Sequence, residues 1–283
     1  MQVLALFTPT EVNSTLTGKK QADCLERLLR LYPQNYQPYH KESTLFFPHP
    51  IQVIPAIENA SVFFEEHEPL EEGFKRFDAF LEVHGKPLYV SLTWNMENRF
   101  GGGNMSKIGL KADGERLLEY LSEKRIPVDL SHTSDLLASD ILNKKNQNKY
   151  DFLVLASHSN FRSVNDNPRN LPDEFALEIK RNRGIIGINF VRRFLSSDAT
   201  CRIIEHVDHG YKLGLEDVLS FGADFFCDLD IPRSSEIPFF FEEYGNSSVY
   251  PKVLEELGAS LIKQVLDPIA FKNANNFIDR VMA

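Results

Sequence analysis

The sequence predicts an α/β protein built on a parallel sheet. Three observations carry this. Apolar, β-rich runs recur along the chain: Val3 to Phe7, Gln52 to Ile57, Leu88 to Leu92, Pro127 to Leu130, Phe152 to Ala156, Ile185 to Phe190 and Val218 to Ala223. The runs are nearly continuous rather than alternating, the pattern of strands buried on both faces of a sheet. Segments with helical spacing separate them, as in successive βα units.

The helices follow in order. Lys19 to Tyr32 places Ala22, Leu25, Leu28 and Leu29 on one stripe, and Leu70, Phe74, Phe77 and Leu81 define the next. Leu117, Leu118 and Leu121 line a third, with Glu and Lys opposite. Pro172 opens another, with Asp173 and Glu174 set against the positive end of its dipole and Gly184 as its expected cap. Pro251 opens a late helix through Leu266. No repeat, low-complexity tract or flexible linker interrupts the pattern, so one domain over residues 1–283 is expected. Residues 33–50 and 228–250 are the loosest stretches and read as loops over a site.

Composition narrows the function. The chain has 283 residues, 40 acidic against 31 basic, a net charge of −9 and 42% hydrophobic residues. That apolar content excludes disorder and suffices for a full core. Phosphate binding needs clustered Lys and Arg, which the sequence lacks, so nucleic acid is not an expected partner. No apolar run approaches the ~20 residues of a membrane span. The first seven residues, Met-Gln-Val-Leu-Ala-Leu-Phe, read as a strand rather than a signal peptide. Cys24, Cys201 and Cys227 form no CxxC pair, which argues against a disulfide framework and for reduced thiols in the cytoplasm.

The chemistry gathers at strand ends. QVIPAI ends at Glu58, PVDL runs into Ser131-His132, FLVLA into Ser157-His158 and VLSFGA into Asp224. In a parallel barrel all strand C-termini open on one face, so residues far apart in sequence converge there. Neutral imidazoles and carboxylates are the ligand set of a catalytic zinc site, where an open position lowers the pKa of bound water to about 7. Taken singly, a His or Glu after a strand is more often a structural residue; four at strand ends strengthen the joint case. Elsewhere, Gly101-Gly102-Gly103 reads as a flexible turn, since it lacks the GxGxxG or Walker pattern of an anion cradle. His206 and His209 read as structural hydrogen-bonding residues, and Glu65 to Glu72 as a solvated approach to a helix. Ser131, Ser157 and Ser159 lie beside histidines, but no GxSxG elbow supports a serine hydrolase.

The ordered motifs carry a resemblance. Val128-Asp-Leu-Ser-His-Thr-Ser134, Ala156-Ser-His-Ser159 and Asn167-Pro-Arg-Asn-Leu-Pro-Asp-Glu174 resemble the membrane (renal) dipeptidase family of zinc peptidases. Ile57-Glu-Asn-Ala60, Gly187-Ile-Asn-Phe190, Glu205-His-Val-Asp-His209, Phe221-Gly-Ala-Asp-Phe225 and Asn273 to Val281 keep the same order, across essentially the whole chain. The resemblance implies a (β/α)8 TIM-type barrel of the metallo-dependent hydrolase kind, a two-zinc site and dipeptide cleavage. It implies Glu58 as the bridge between metals, His132 and His158 completing one site, and Asp224 as ligand of the other and handler of the water proton. It implies Arg169 as the anchor of a substrate carboxylate, and a homodimer.

Three departures follow. The family's first strand, with a His-x-Asp pair that ligates the second zinc, has no counterpart before Glu58; the barrel is therefore expected to lack that strand, and the second metal keeps Glu58 and Asp224. His40 and His49 lack the context to replace the pair. Trp94 stands where many members place an oxyanion-steadying His, leaving neighbouring Asn95 as the expected substitute on the substrate. Asp224-Phe-Phe-Cys-Asp228 departs from the family's Asp-Phe-Asp-Gly. The expectation is a zinc-dependent dipeptidase-like hydrolase acting on a dipeptide or small amide with one or two zinc ions. The alternatives are a catalytically degenerate homologue with a binding role, and a mononuclear amide or lactone hydrolase.

Overall fold

The computed structural model describes residues 1–40, 50–147, 149–198, 200–227, 238–260 and 266–283. His49, Asp228 and about half of the two expected loops lie outside the described residues. The chain divides into two compact units, Met1–Leu153 with Ile278–Ala283, and Val154–Phe277.

The first unit runs β1 (Gln2–Phe7), α1 (Ser14–Leu31), β2 (Tyr36–Pro38), β3 (Ile51–Glu58), α2 (Leu70–His84), β4 (Val90–Ser91), α3 (Ala112–Glu123), β5 (Val128–Asp129) and α4 (Asp135–Asn146). Its strands pair in parallel, β1 to β3, β3 to β4 and β4 to β5. Every β3 residue from Gln52 to Glu58 is buried, as its unbroken apolar run requires. The helices lay their stripes on this sheet. Leu117, Leu118 and Leu121 of α3 are fully buried, each contributing on the order of 2 kcal/mol. In α2 the buried line is Leu70, Gly73, Phe77 and Phe80.

β2 is an unexpected strand, and it pairs with β3 at Ile51 to Val53. Its bonds use Ile51 N–H and Val53 O, while β4's side of β3 uses Pro55 O and Ile57 N–H. Alternate residues of a strand bond to opposite edges, so β2 and β4 share one edge of β3 in succession. β2 therefore adds no new lane to the sheet.

The second unit runs β6 (Val154–Leu155), α5 (Asp173–Arg181), β7 (Ile186–Ile188), α6 (Arg192–Leu195), α7 (Ile203–Lys212), β8 (Leu219–Phe221), α8 (Tyr250–Ser260) and α9 (Asn273–Val281), whose last turn belongs to the first unit. Ala156 bridges Ile186 in parallel, and β7 pairs with β8. All seven expected runs form strands.

Gly184 does not cap α5. Asn182 does, Arg183 takes the left-handed backbone (φ 58), and Gly184 lies so close to Val154 that a Cβ would fall 1.9 Å from its carbonyl oxygen. α1 begins at Ser14, earlier than its apolar stripe, because Glu65 bonds the N–H groups of Asn13 and Thr15. The acidic approach to α2 is thus a capping device: Glu66 accepts the Arg99 N–H, and Glu68 pairs with Arg76.

Candidate metal centre

In the first unit, β3 delivers Glu58 and the turn after β5 delivers His132, both buried. Thr133 closes that turn by bonding Leu130 O through its N–H and its hydroxyl, at 3.1 and 2.7 Å. His132 takes a left-handed backbone (φ 68), a conformation costing a side-chain-bearing residue about 1 kcal/mol and tolerated where surrounding bonds over-determine it. Those bonds are here: Thr93 Oγ1 and Asn104 N–H both donate to His132 O, at 3.2 and 2.9 Å. The ring's Nδ1–H donates to Asn95 Oδ1 at 2.9 Å, and its Nε2 lies 3.2 Å from Glu58 Oε1. Trp94 packs edge-on against Phe7 at 5.0 Å and lies 6.1 Å from the His132 ring, an apolar wall beside the pair.

In the second unit, His158 follows β6 and is buried. Ser157 Oγ lies 2.6 Å from its Nδ1. Burial, then the Arg169 charge, hold its pKa well below the usual imidazole range, so the ring stays neutral, the form that binds metals. Arg169, also buried, donates from Nη2 to His158 O and from Nη1 to Ser159 Oγ, both at 3.0 Å. Asp224 follows β8 with a left-handed backbone (φ 61). Part of it touches solvent, yet protein surrounds its carboxyl group, and that desolvation pushes its pKa up to about 6 against the opposing pull of Arg169 and Asn189. Asn189 Nδ2 donates to Asp224 Oδ2 at 3.2 Å. Asn189 was not singled out from the sequence; its place after β7, among motif residues that end strands, is the signal that pointed to it.

Other expectations resolve here. His206 accepts the Phe161 N–H at Nδ1 and donates from Nε2 to Leu195 O, and His209 bonds Asp173, so both are structural as expected. His40 is exposed and joins no metal-capable group among the described residues. The Gly101 to Gly103 stretch is no flexible turn. A Cβ on Gly102 would lie 2.3 Å from Ile108 O and one on Gly103 1.9 Å from Trp94 O, so close packing demands the glycines.

A buried carboxylate and buried histidines at the ends of parallel strands are the donor types that metal-dependent hydrolases of α/β type use. The membrane dipeptidase (peptidase family M19) profile matches residues 1–278. The chain belongs to that family. Among curated relatives, it is 27% identical over 196 residues (64% of this chain, 67% of the relative) to an uncharacterized Klebsiella pneumoniae protein from the pqqA 5' region. It is 31% identical over 144 residues (48% of this chain, 36% of the relative) to dipeptidase verJ of Clonostachys rogersoniana. It is 29% identical over 152 residues (53% and 28%) to dipeptidase 3 of Rattus norvegicus. The matched stretches thus span about a third of the length of these two dipeptidases. A metallopeptidase from Rhodobacter sphaeroides, solved with a phosphinate mimic of the dipeptide L-Ala-D-Ala, superposes with TM-score 0.79 at 17% identity over 99% of this chain and 86% of its own. An M19 dipeptidase AC structure gives TM-score 0.80 at 18% identity (99% and 85%). This likeness shows that the chain shares the α/β fold of these two structures.

Proposed function

We propose that the protein is a metal-dependent hydrolase that cleaves the amide bond of a dipeptide, with Glu58, His132 and His158 holding the metal. One observation carries the reading. His132 gives its Nδ1 proton to Asn95, and its Nε2 faces Glu58 Oε1 at 3.2 Å. A ring nitrogen and a carboxylate oxygen at that distance repel each other unless a proton or a metal cation joins them, and the metal is the one proposed. Tetrahedral zinc with bonds of about 2.0 Å sets neighbouring ligand atoms about 3.3 Å apart, so the pair fits the ion. His158, buried and kept neutral, fits as the third donor.

When bound, the metal supplies Lewis acidity to a water and to the scissile carbonyl. The chain's own groups do the rest. Asp224, ionising near 6, takes the water proton and passes it to the departing amine, a poise suited to a base working near neutrality. Arg169, anchored to Ser159 and His158 through its guanidinium group, binds the substrate carboxylate with its planar fork. Zinc suits this nitrogen and oxygen set. Cytoplasmic residence fits the three free cysteines, and a homodimer is proposed on the family resemblance. No described helix is long and apolar enough to cross a membrane.

Glu58, His132 and His158 supply the three ligands that a single-metal site needs, and that favours, as second reading, single-metal hydrolysis of an amide or lactone. Elemental mass spectrometry of zinc-exposed protein, followed by a panel of dipeptides, cyclic amides and lactones, separates the readings. About one zinc per chain with dipeptide turnover is expected. Metal with turnover of lactones alone replaces the first reading by the second, and no metal leaves a degenerate homologue.

A further inference from the structure

We infer that Asn95 is a positioning residue that fixes the tautomer and the aim of His132. The site's most specific polar contact that no recognised role explains is Asn95 Oδ1 on His132 Nδ1, at 2.9 Å. An amide oxygen only accepts, so in the neutral ring this contact selects the Nδ1–H tautomer and leaves Nε2 as the lone-pair nitrogen toward Glu58.

The backbone around the contact is built to hold it. The strap after Gly102 ties both ends: Asn104 N–H donates to His132 O at 2.9 Å, and the next residue, Met105, donates its N–H to Asn95 O at 2.8 Å. Gly103 bridges Thr133, the residue after His132. Its missing side chain lets the strap lie against Trp94 and Asn95: a Cβ there would fall 1.9 Å from Trp94 O and 2.4 Å from Asn95 C. Two adjacent strap residues therefore grip the two partners of one side-chain bond. The amide oxygen of Asn95 works on His132, a role separate from any that its Nδ2 donors take toward substrate. Orienting partners of this kind, when removed, typically cost ~10–100-fold in metal affinity.

The role rests on His132 being a metal ligand, and the test separates the two ideas. Asn95→Leu removes the acceptor at similar size; Asn95→Asp keeps it. Nitrogen-15 NMR of the imidazoles, in metal-free protein at mildly alkaline pH, reads the His132 tautomer without any metal. Zinc affinity is then measured by competition with a chromophoric chelator. The wild type and Asn95→Asp are expected to show the Nδ1–H pattern, and Asn95→Leu a mixed or Nε2–H pattern with at least ~10-fold weaker zinc binding. An Asn95→Leu protein with the wild-type nitrogen pattern overturns the inference. If that variant fails to fold, Asn95→Ala is read in its place. Wild-type protein that binds no zinc yet shows the Nδ1–H pattern, lost in Asn95→Leu, sinks the metal reading and leaves the positioning intact.

Discussion

Gly222 presses against the carbonyl of Ser157: a Cβ on Gly222 would lie 2.0 Å from that oxygen. Gly187 approaches the same oxygen from β7's side, where a Cβ would lie at 2.1 Å. Three strand ends thus meet with no room for a methyl group, one residue before His158. Gly222→Ala is expected to destabilise the fold by about 3 kcal/mol, since backbone, unlike a side chain, cannot swing aside. Urea unfolding measures the loss; an unchanged midpoint refutes this packing account.

His158→Ala is expected to abolish metal-dependent hydrolysis and metal retention together, because a buried neutral imidazole is replaced by a methyl group that offers no lone pair. Metal content and dipeptide turnover are measured on the same preparation. Normal turnover in the variant sinks the proposed ligand set.

Arg169→Met is expected to raise KM for dipeptides by roughly 10–100-fold, the worth of a charge-assisted bond to a carboxylate. An amidated dipeptide supplies the control. Wild type is expected to handle it poorly, and the variant to treat free and amidated substrates alike. Continued preference for the free carboxylate in the variant assigns the anchor to another residue.

His206 makes stability pH-dependent. Burial lowers its pKa to about 4, while the unfolded chain keeps an ordinary value near 6.5. Between those values the unfolded state binds the extra proton, so stability is full above about pH 6.5 and falls as pH drops toward 4. The loss approaches roughly 3 kcal/mol at the lower end. The folded site cannot accept the proton, because Nδ1 already faces the Phe161 N–H. Denaturant midpoints across this range are expected to flatten in His206→Gln.

Much of the fold was legible because its signals are local. Apolar runs such as Gln52 to Ile57 announce buried strands wherever they fall, and Leu117, Leu118 and Leu121 repeat at helical spacing. β2 was not legible: Tyr36 to Pro38 is no apolar run, and it becomes a strand because β3 extends past β4 on the edge they share and leaves Ile51 to Val53 to be paired. The Glu65 cap on α1 was hidden likewise, since its donors lie 50 residues away at Thr15. Of the proposed site, Glu58, His132, His158 and Asp224 were readable as strand-end residues in ordered motifs. Their partners Asn95 and Asn189 were not readable as such, because an asparagine's role depends on what its amide meets.

By itself the sequence determined which residues end the strands, because hydrophobic periodicity and motif order are properties of neighbours along the chain. The tertiary structure alone decided how those side chains are aimed. Asn95 and His132 are 37 residues apart, and the bond that sets the imidazole tautomer exists only once the Gly103 strap holds both backbones. A proton's position on a ring is fixed by a contact across space, and no spacing in the chain records it.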